Sequence, residues 1–222
     1  MNLALFDLDG TLLAIDSDHA FGEFMVRLGW ADAQTFRRTN DEFYAQYQAE
    51  RLDMVQYVRF ATSAWRARAP GELAAATQRF IDEVIQPCVH DNARALLRRH
   101  VQAGDRIAIV TATNEFVTRP IAALLGVDTL IATELQRDAL GRATGEIHGV
   151  PAFREGKVAR VGAWLAHEGR RMQDFERSYF YSDSTNDLAL LEQVSDPVAT
   201  NPSPALQRIA QQRGWPVLRL FE

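Results

Sequence analysis

The sequence is short of several things, and each shortage closes off a class of function. It has one cysteine, Cys88, so no internal disulfide can form and a reducing compartment fits. His90 stands close to it in PCVHD, but a small packed thiol is the default reading. Long apolar runs are missing. Stretches such as PIAALLGV at 120–127 fall far short of the roughly 20 residues that span a membrane. The start, MNLALFDLDG, has no basic n-region and carries two aspartates where a signal peptide needs apolar residues. A cytoplasmic protein without a membrane partner is expected. The net charge is −5 and no basic stripe occurs, which argues against a nucleic-acid partner. GxGxxG, a complete P-loop and HExxH are absent, so dinucleotide and zinc-protease chemistry find no support. Lysine is the last shortage. Among 24 basic residues, Lys157 in FREGKVAR is the sole lysine, which suggests a position where a compact ammonium is needed and a guanidinium will not fit.

What is present is an ordinary globular composition, 47% hydrophobic and 24% charged over 222 residues, enough for a sizeable core. Apolar runs at 2–6, 106–111, 128–133 and 178–183 read as strands, with further candidates in DPVAT and PVLRLF. Between them, helical periodicity appears in 92–103, in 154–168 and around Leu206 to Ala210. Strands alternating with helices predict an α/β fold with a doubly wound parallel sheet. Residues 16–86 break this rhythm with four helical segments, at about 18–29, 33–48, 53–66 and 71–85. They are expected to form a helical cap inserted into a core made of 1–15 and 87–222. Residues 134–149 read as a small hairpin turning at Leu140-Gly141.

Carboxylates gather where strands end. Asp7 and Asp9 follow the first strand in FDLDGTLL, and Asp183, Asn186 and Asp187 follow another in SYFYSDSTND. Two carboxylates at the mouth of a buried strand repel unless a cation or proton offsets them. Ligands of open α/β sheets bind beyond the carboxyl ends of strands. If these strands are parallel neighbours, an oxygen-only cluster forms that suits a hard cation, Mg²⁺ above all. Thr111 offers a hydroxyl at the same edge, and Lys157 lies near the start of the 154–168 helix. Such a set fits a phosphoryl group, where catalysis is mostly positioning and charge neutralisation.

DLDGT, Thr111, Lys157 and DSTND resemble, in order and spacing, the four motifs of the haloacid dehalogenase superfamily. The helical insertion is similar to the cap of its phosphoserine phosphatase-like branch. One departure stands out: a Gly-x-x-Lys ending at Lys157 is lacking because position 154 is Arg. The resemblance implies that Asp7 attacks phosphorus to give an aspartyl-phosphate and that Asp9 is the general acid and base. It implies Mg²⁺ held by Asp7, the Asp9 carbonyl and Asp183, with Asn186 and Asp187 in support. Thr111 and Lys157 would bind the phosphoryl oxygens. By the same resemblance, the carboxylic acid at Asp9 favours a phosphatase or phosphotransferase over the dehalogenase and ATPase branches.

Substrate choice belongs to the cap. Asp16 matches an acidic residue that reads the substrate amine in phosphoserine phosphatases, and Arg59 falls near the arginine that reads the carboxylate there. A small amine-bearing phosphomonoester is expected, with phosphoserine and histidinol phosphate as candidates and a slight preference for an amine without a carboxylate. The alternatives are a phosphotransferase using a non-water acceptor and a non-enzymatic regulator. The oligomeric state stays open.

Overall fold

The computed structural model describes residues 1–221. Its centre is β1 (Leu3–Phe6), fully buried, whose side chains alternate between two apolar clusters. Leu3 and Leu5 point to one, Ala4 and Phe6 to the other. That alternation is the period of a strand covered on both faces. Around it lie β2 (Arg106–Asn114), β3 (Leu130–Thr133), β6 (Ser178–Ser182), β7 (Asp196–Thr200) and β8 (Val217–Leu218). The six form one sheet in the order β3-β2-β1-β6-β7-β8, every pair parallel. The predicted doubly wound α/β architecture holds.

Helices α5 (Asp91–Gln102) and α6 (Glu115–Leu124) cover one face through Leu96, Leu97, Val117 and Ile121. The other face takes α7 (Glu155–His167), α8 (Leu188–Leu191) and α9 (Pro204–Arg213), through Val161, Leu165, Leu190 and Leu206. Buried His100 of α5 lies 2.8 Å from both the Tyr181 hydroxyl and the Asp105 carboxylate. The hairpin expected at 134–149 forms from β4 (Leu135–Arg137) and β5 (Ala143–Ile147).

Residues 16–86 are helical as expected: α1 (Ser17–Arg27), α2 (Ala33–Gln48), α3 (Met54–Ser63) and α4 (Pro70–Phe80). Asp16, Asp32 and Asp53 cap the first three by accepting from backbone N–H groups at 2.8–3.1 Å, satisfying donors that a helix start leaves open. Pro70 opens the fourth, a position that tolerates its missing N–H. Two of the boundaries that differ from the sequence reading have a visible cause. The helix expected to reach residue 85 ends at Phe80 and continues as a π-helical turn (Ile81–Ile85), because Pro87 just beyond cannot continue an α-helix. The strand expected to stop at 111 runs on to Asn114 with a shifted register after Val110. There Thr133 donates its hydroxyl to the Ala112 carbonyl at 2.7 Å in place of a regular ladder bond. The helical stretch is rooted in the core. Phe21 meets Phe116 of α6 edge-on at 6.0 Å and Trp65 stacks on the same ring at 4.0 Å, within the same cluster that lines the sheet.

Two glycines of α7 have opposite surroundings. A Cβ at Gly156 would lie 2.0 Å from the Pro151 carbonyl oxygen, whereas one at Gly162 would meet nothing within 4 Å. Gly156→Ala must push backbone aside and should lower the melting temperature by several degrees. Gly162→Ala, at an exposed helical position, should raise stability by up to about 1 kcal/mol. Thermal denaturation of the two single variants checks both signs.

Candidate active site

Because β1 and β6 are adjacent and parallel, their carboxyl ends share one edge: Asp7 N–H donates to the Tyr181 carbonyl at 2.9 Å. Thr11, in the turn after β1, has its hydroxyl 3.3 Å from both Asp7 Oδ2 and Asp183 Oδ1. Gly10 makes that turn possible, with φ 72° and no room for a Cβ, which would sit 2.5 Å from Asp183 Oδ2. From the other side, the first turn of α7 projects Lys157 inward. Its Nζ donates to Asp7 Oδ1 at 2.7 Å and to Asp187 Oδ2 at 2.8 Å. Ser182 donates to the same Asp187 oxygen at 2.7 Å. Lys157 is 2% exposed and 5.7 Å from the centre of the Phe180 ring.

Charge sets the chemistry here. Burial alone would favour neutral Lys157, but Asp187 and Asp7 outweigh it and hold the ammonium's pKa above the ordinary lysine range. Burial pushes Asp7 up to about 7 against the pull of Lys157, and Asp187 and Asp9 add to the rise. Burial also raises Asp183 well above the carboxylate range, with Asp7 and Asp187 adding repulsion. One ammonium therefore faces three carboxylates. Thr11 has one hydroxyl proton to offer two of them. Among the described residues, no three His, Cys, Asp or Glu side chains stand close enough to hold a metal ion by themselves. Asp7 and Asp183 bring hard oxygens to an edge short of positive charge, a donor chemistry that fits Mg²⁺.

Asp9 lives apart from Lys157. Its carboxylate accepts from Ser17 N–H at 2.8 Å and from the Thr113 hydroxyl at 2.9 Å. Burial first, then the nearby charge of Asp16, raises it to about 7. Thr111 is buried, its hydroxyl accepting from Thr113 N–H at 3.2 Å. Asp7, Asp9 and Thr111 open onto one pocket of about 520 Å³, its mouth included. The helical stretch closes it with Asp16, Asp18, Asn40, Tyr44, Tyr47 and Tyr57. Asp16 caps α1 and faces the pocket.

The edge thus gathers Asp7, Asp9, Thr111, Lys157, Asp183, Asn186 and Asp187, with Asp16 at the pocket. Arg59 is not brought to them. Its exposed guanidinium makes a two-pronged pair with Glu146 of β5, at 2.9 and 3.1 Å, because the period of α3 turns it toward the hairpin. Asn186 also differs from its expected supporting role in what it touches: it donates to the Tyr47 carbonyl at 3.3 Å and accepts from Arg154 at 3.2 Å. Sequence reading passed over Thr113 and the pocket tyrosines. Thr113 carried a signal, standing two residues after Thr111 on one extended run; the tyrosines, scattered over two helices, carried none.

These features have known counterparts. Residues 4–192 match the model of the haloacid dehalogenase-like hydrolases. The chain belongs to that family. It is 41% identical, over 98% of both chains, to a histidinol-phosphatase of Neisseria meningitidis serogroup C. It is 31% identical to a phosphoserine phosphatase of Mycobacterium tuberculosis, over 96% of this chain and 69% of the relative. A protein of unknown function from Bordetella pertussis Tohama I has the same structure with a TM-score of 0.94, at 50% identity and 99% coverage of each chain. A substrate-bound phosphoserine phosphatase shares the fold, with a TM-score of 0.69 at 18% identity, over 97% of this chain and 91% of that one. The expected family and the expected class of enzyme, a phosphatase, both hold.

Two predictions follow from these charges. Lys157→Arg keeps the charge but offers a broad planar fork where one centre meets two carboxylates. With displacements of about 1 Å it should lose on the order of a hundredfold in kcat/KM, whereas Arg160→Lys on the same helix should not. Steady-state kinetics on both variants checks this. Asp18 is the second case. Burial, then the charge of Asp16, raises it to about 7 from an ordinary 3.8. Between those values the folded state holds a proton that the unfolded state has lost, so stability falls as pH rises through the window. Asp18→Asn removes this dependence and should raise the melting temperature more at pH 8 than at pH 5, by a few degrees, or about 1–2 kcal/mol.

Proposed function

We propose that this phosphatase is a Mg²⁺-dependent hydrolase of a small phosphomonoester that carries an amine and no carboxylate, with histidinol phosphate as the leading candidate. The observation that carries this reading is the lining of the pocket. Asp9, Asp16 and Asp18 face it among tyrosines, Phe43 and His19, whose ring is taken up by Asp41 at 2.8 Å; among the described residues, its lining includes no arginine or lysine. A substrate carboxylate would enter next to three acids with no partner, whereas an ammonium or an imidazole N–H finds acceptors and aromatic faces. Arg59, which could have read a carboxylate, is engaged with Glu146 outside the pocket. The 41% identity to a histidinol-phosphatase points the same way.

The proposed reaction runs in two steps on the chain's own residues, within a cap formed by 16–86 over the core of 1–15 and 87–222. Asp7 Oδ attacks phosphorus in line, and the bond to the leaving oxygen breaks as Asp9 gives it a proton. A carboxyl group that titrates near 7 is well matched to that task at neutral pH. Asp9 then takes a proton from water as the water attacks the aspartyl-phosphate, which frees Asp7 and releases phosphate. Lys157 offsets the repulsion between Asp7 and the incoming anion, and the Thr111 hydroxyl takes a phosphoryl oxygen. Asp7, Asp183 and the Asp9 carbonyl would hold Mg²⁺, which supplies positive charge to the phosphoryl oxygens when bound. Asp187 holds Lys157 in place from behind.

The test is phosphate release with Mg²⁺ from L-histidinol phosphate, L-phosphoserine and an aryl phosphate under one set of conditions. Histidinol phosphate should exceed phosphoserine at least tenfold in kcat/KM, about 1.4 kcal/mol of discrimination. Equal or reversed values would overturn the reading.

A further inference from the structure

Arg154 occupies a backbone conformation suited to glycine, φ 51° and ψ −124°. An arginine there costs about 1–3 kcal/mol, and glycine would form the same turn without that cost. The turn itself is needed, since the Arg154 carbonyl accepts from Lys157 N–H at 3.0 Å and so starts α7. What arginine adds is its side chain. The guanidinium lies over the Phe153 ring, 4.9 Å from its centre. Nε donates to Asn186 Oδ1 at 3.2 Å, and Nη2 donates to the backbone carbonyl of Glu50.

Glu50 follows α2 and has a positive φ of its own, 58°. Its carboxylate accepts from the Thr185 hydroxyl, and one turn earlier the Tyr47 carbonyl accepts from Asn186 Nδ2 at 3.3 Å. Three hydrogen bonds therefore join the end of α2 to the core: one from Arg154, one from Thr185 and one from Asn186. Arg154 also orients Asn186 for the third. The clasp closes between Tyr47, which lines the pocket, and the loop that links Asp183 to Asp187.

We infer that Arg154 is a positioning residue: it fastens the Tyr47–Glu50 end of the cap to the Asn186 loop, so that closure of the pocket and orientation of that loop occur together. The strain at its backbone persists because the two-pronged guanidinium reaches both partners at once, which neither glycine nor lysine can do. This rests on the phosphatase activity and is independent of the substrate proposed above.

The test compares Arg154→Gly and Arg154→Lys with the unaltered protein, using p-nitrophenyl phosphate turnover, thermal denaturation and amide hydrogen exchange. Arg154→Gly should melt at the same or a higher temperature, because its turn is relaxed. Its amides at residues 49–52 should exchange about tenfold faster, and its kcat should fall about tenfold. Arg154→Lys keeps the strained turn and the charge; it should show the same faster exchange without any gain in melting temperature. A glycine variant with kcat and exchange within twofold of the unaltered protein overturns the inference. So does a lower melting temperature with unchanged exchange, which would make Arg154 a structural residue only. Should the glycine variant not fold, exchange in the lysine variant decides: unchanged protection at 49–52 rejects the clasp.

Discussion

The contact on which the rest of the site depends is the buried ammonium of Lys157 between Asp7 and Asp187, at 2.7 and 2.8 Å. A buried charge is tolerable only where partners replace the water it loses. Lys157 is supplied with two carboxylates, from the loops after β1 and β6, and it reaches them from α7 on the outer layer. Adjacent parallel strands bring the acids together. The tight approach at Gly156, where a Cβ would strike the Pro151 carbonyl, lets the helix start close enough to deliver the lysine. Three acids share that one cation, and the surplus negative charge is the physical demand for a metal ion and, later, for a phosphoryl group to be met by compensating charge.

Two aspartates two residues apart are given different work by their neighbours. Asp7 sits against an ammonium and keeps an oxygen toward the pocket. Asp9 is held by an N–H and a hydroxyl and repelled by Asp16. The two carboxyls are raised alike, so what divides their work is their partners: the one at the ammonium is placed to attack, and the one held by neutral donors is placed to pass a proton.

The helical stretch of 16–86 meets the rest of the chain in two unlike ways. At its root, Phe21, Phe80 and Trp65 pack with Phe116 in an apolar cluster continuous with the sheet, and separation there would expose apolar surface to water. At its rim, Tyr47 to Glu50 meet the core through hydrogen bonds at a partly exposed edge, and water can replace such bonds at little cost. Contacts of the first kind resist separation more strongly than those of the second.

Much of this was legible along the chain because its signals are local. Strands buried on both faces read as short apolar runs, helices as a 3.6-residue period, and strand-terminal acids as a site once the strands were taken as parallel neighbours. The lone lysine among arginines was visible for the same reason: residue type at one position reports the space and charge around it. What depends on the meeting of distant segments was not. Arg59 was placed by counting, yet the turn of α3 directs it to Glu146. Asp187, expected to support a metal, meets Lys157 because α7 packs against α8 and the sheet. The acids of the pocket acquire their raised pKa values only when the helices α1 to α3 exclude water from them. Sequence by itself determined the kinds of groups present and the order in which strands would deliver them; tertiary structure decided which groups face each other. Distance and desolvation, which set the energy of a charge, exist only between segments that the fold has brought together.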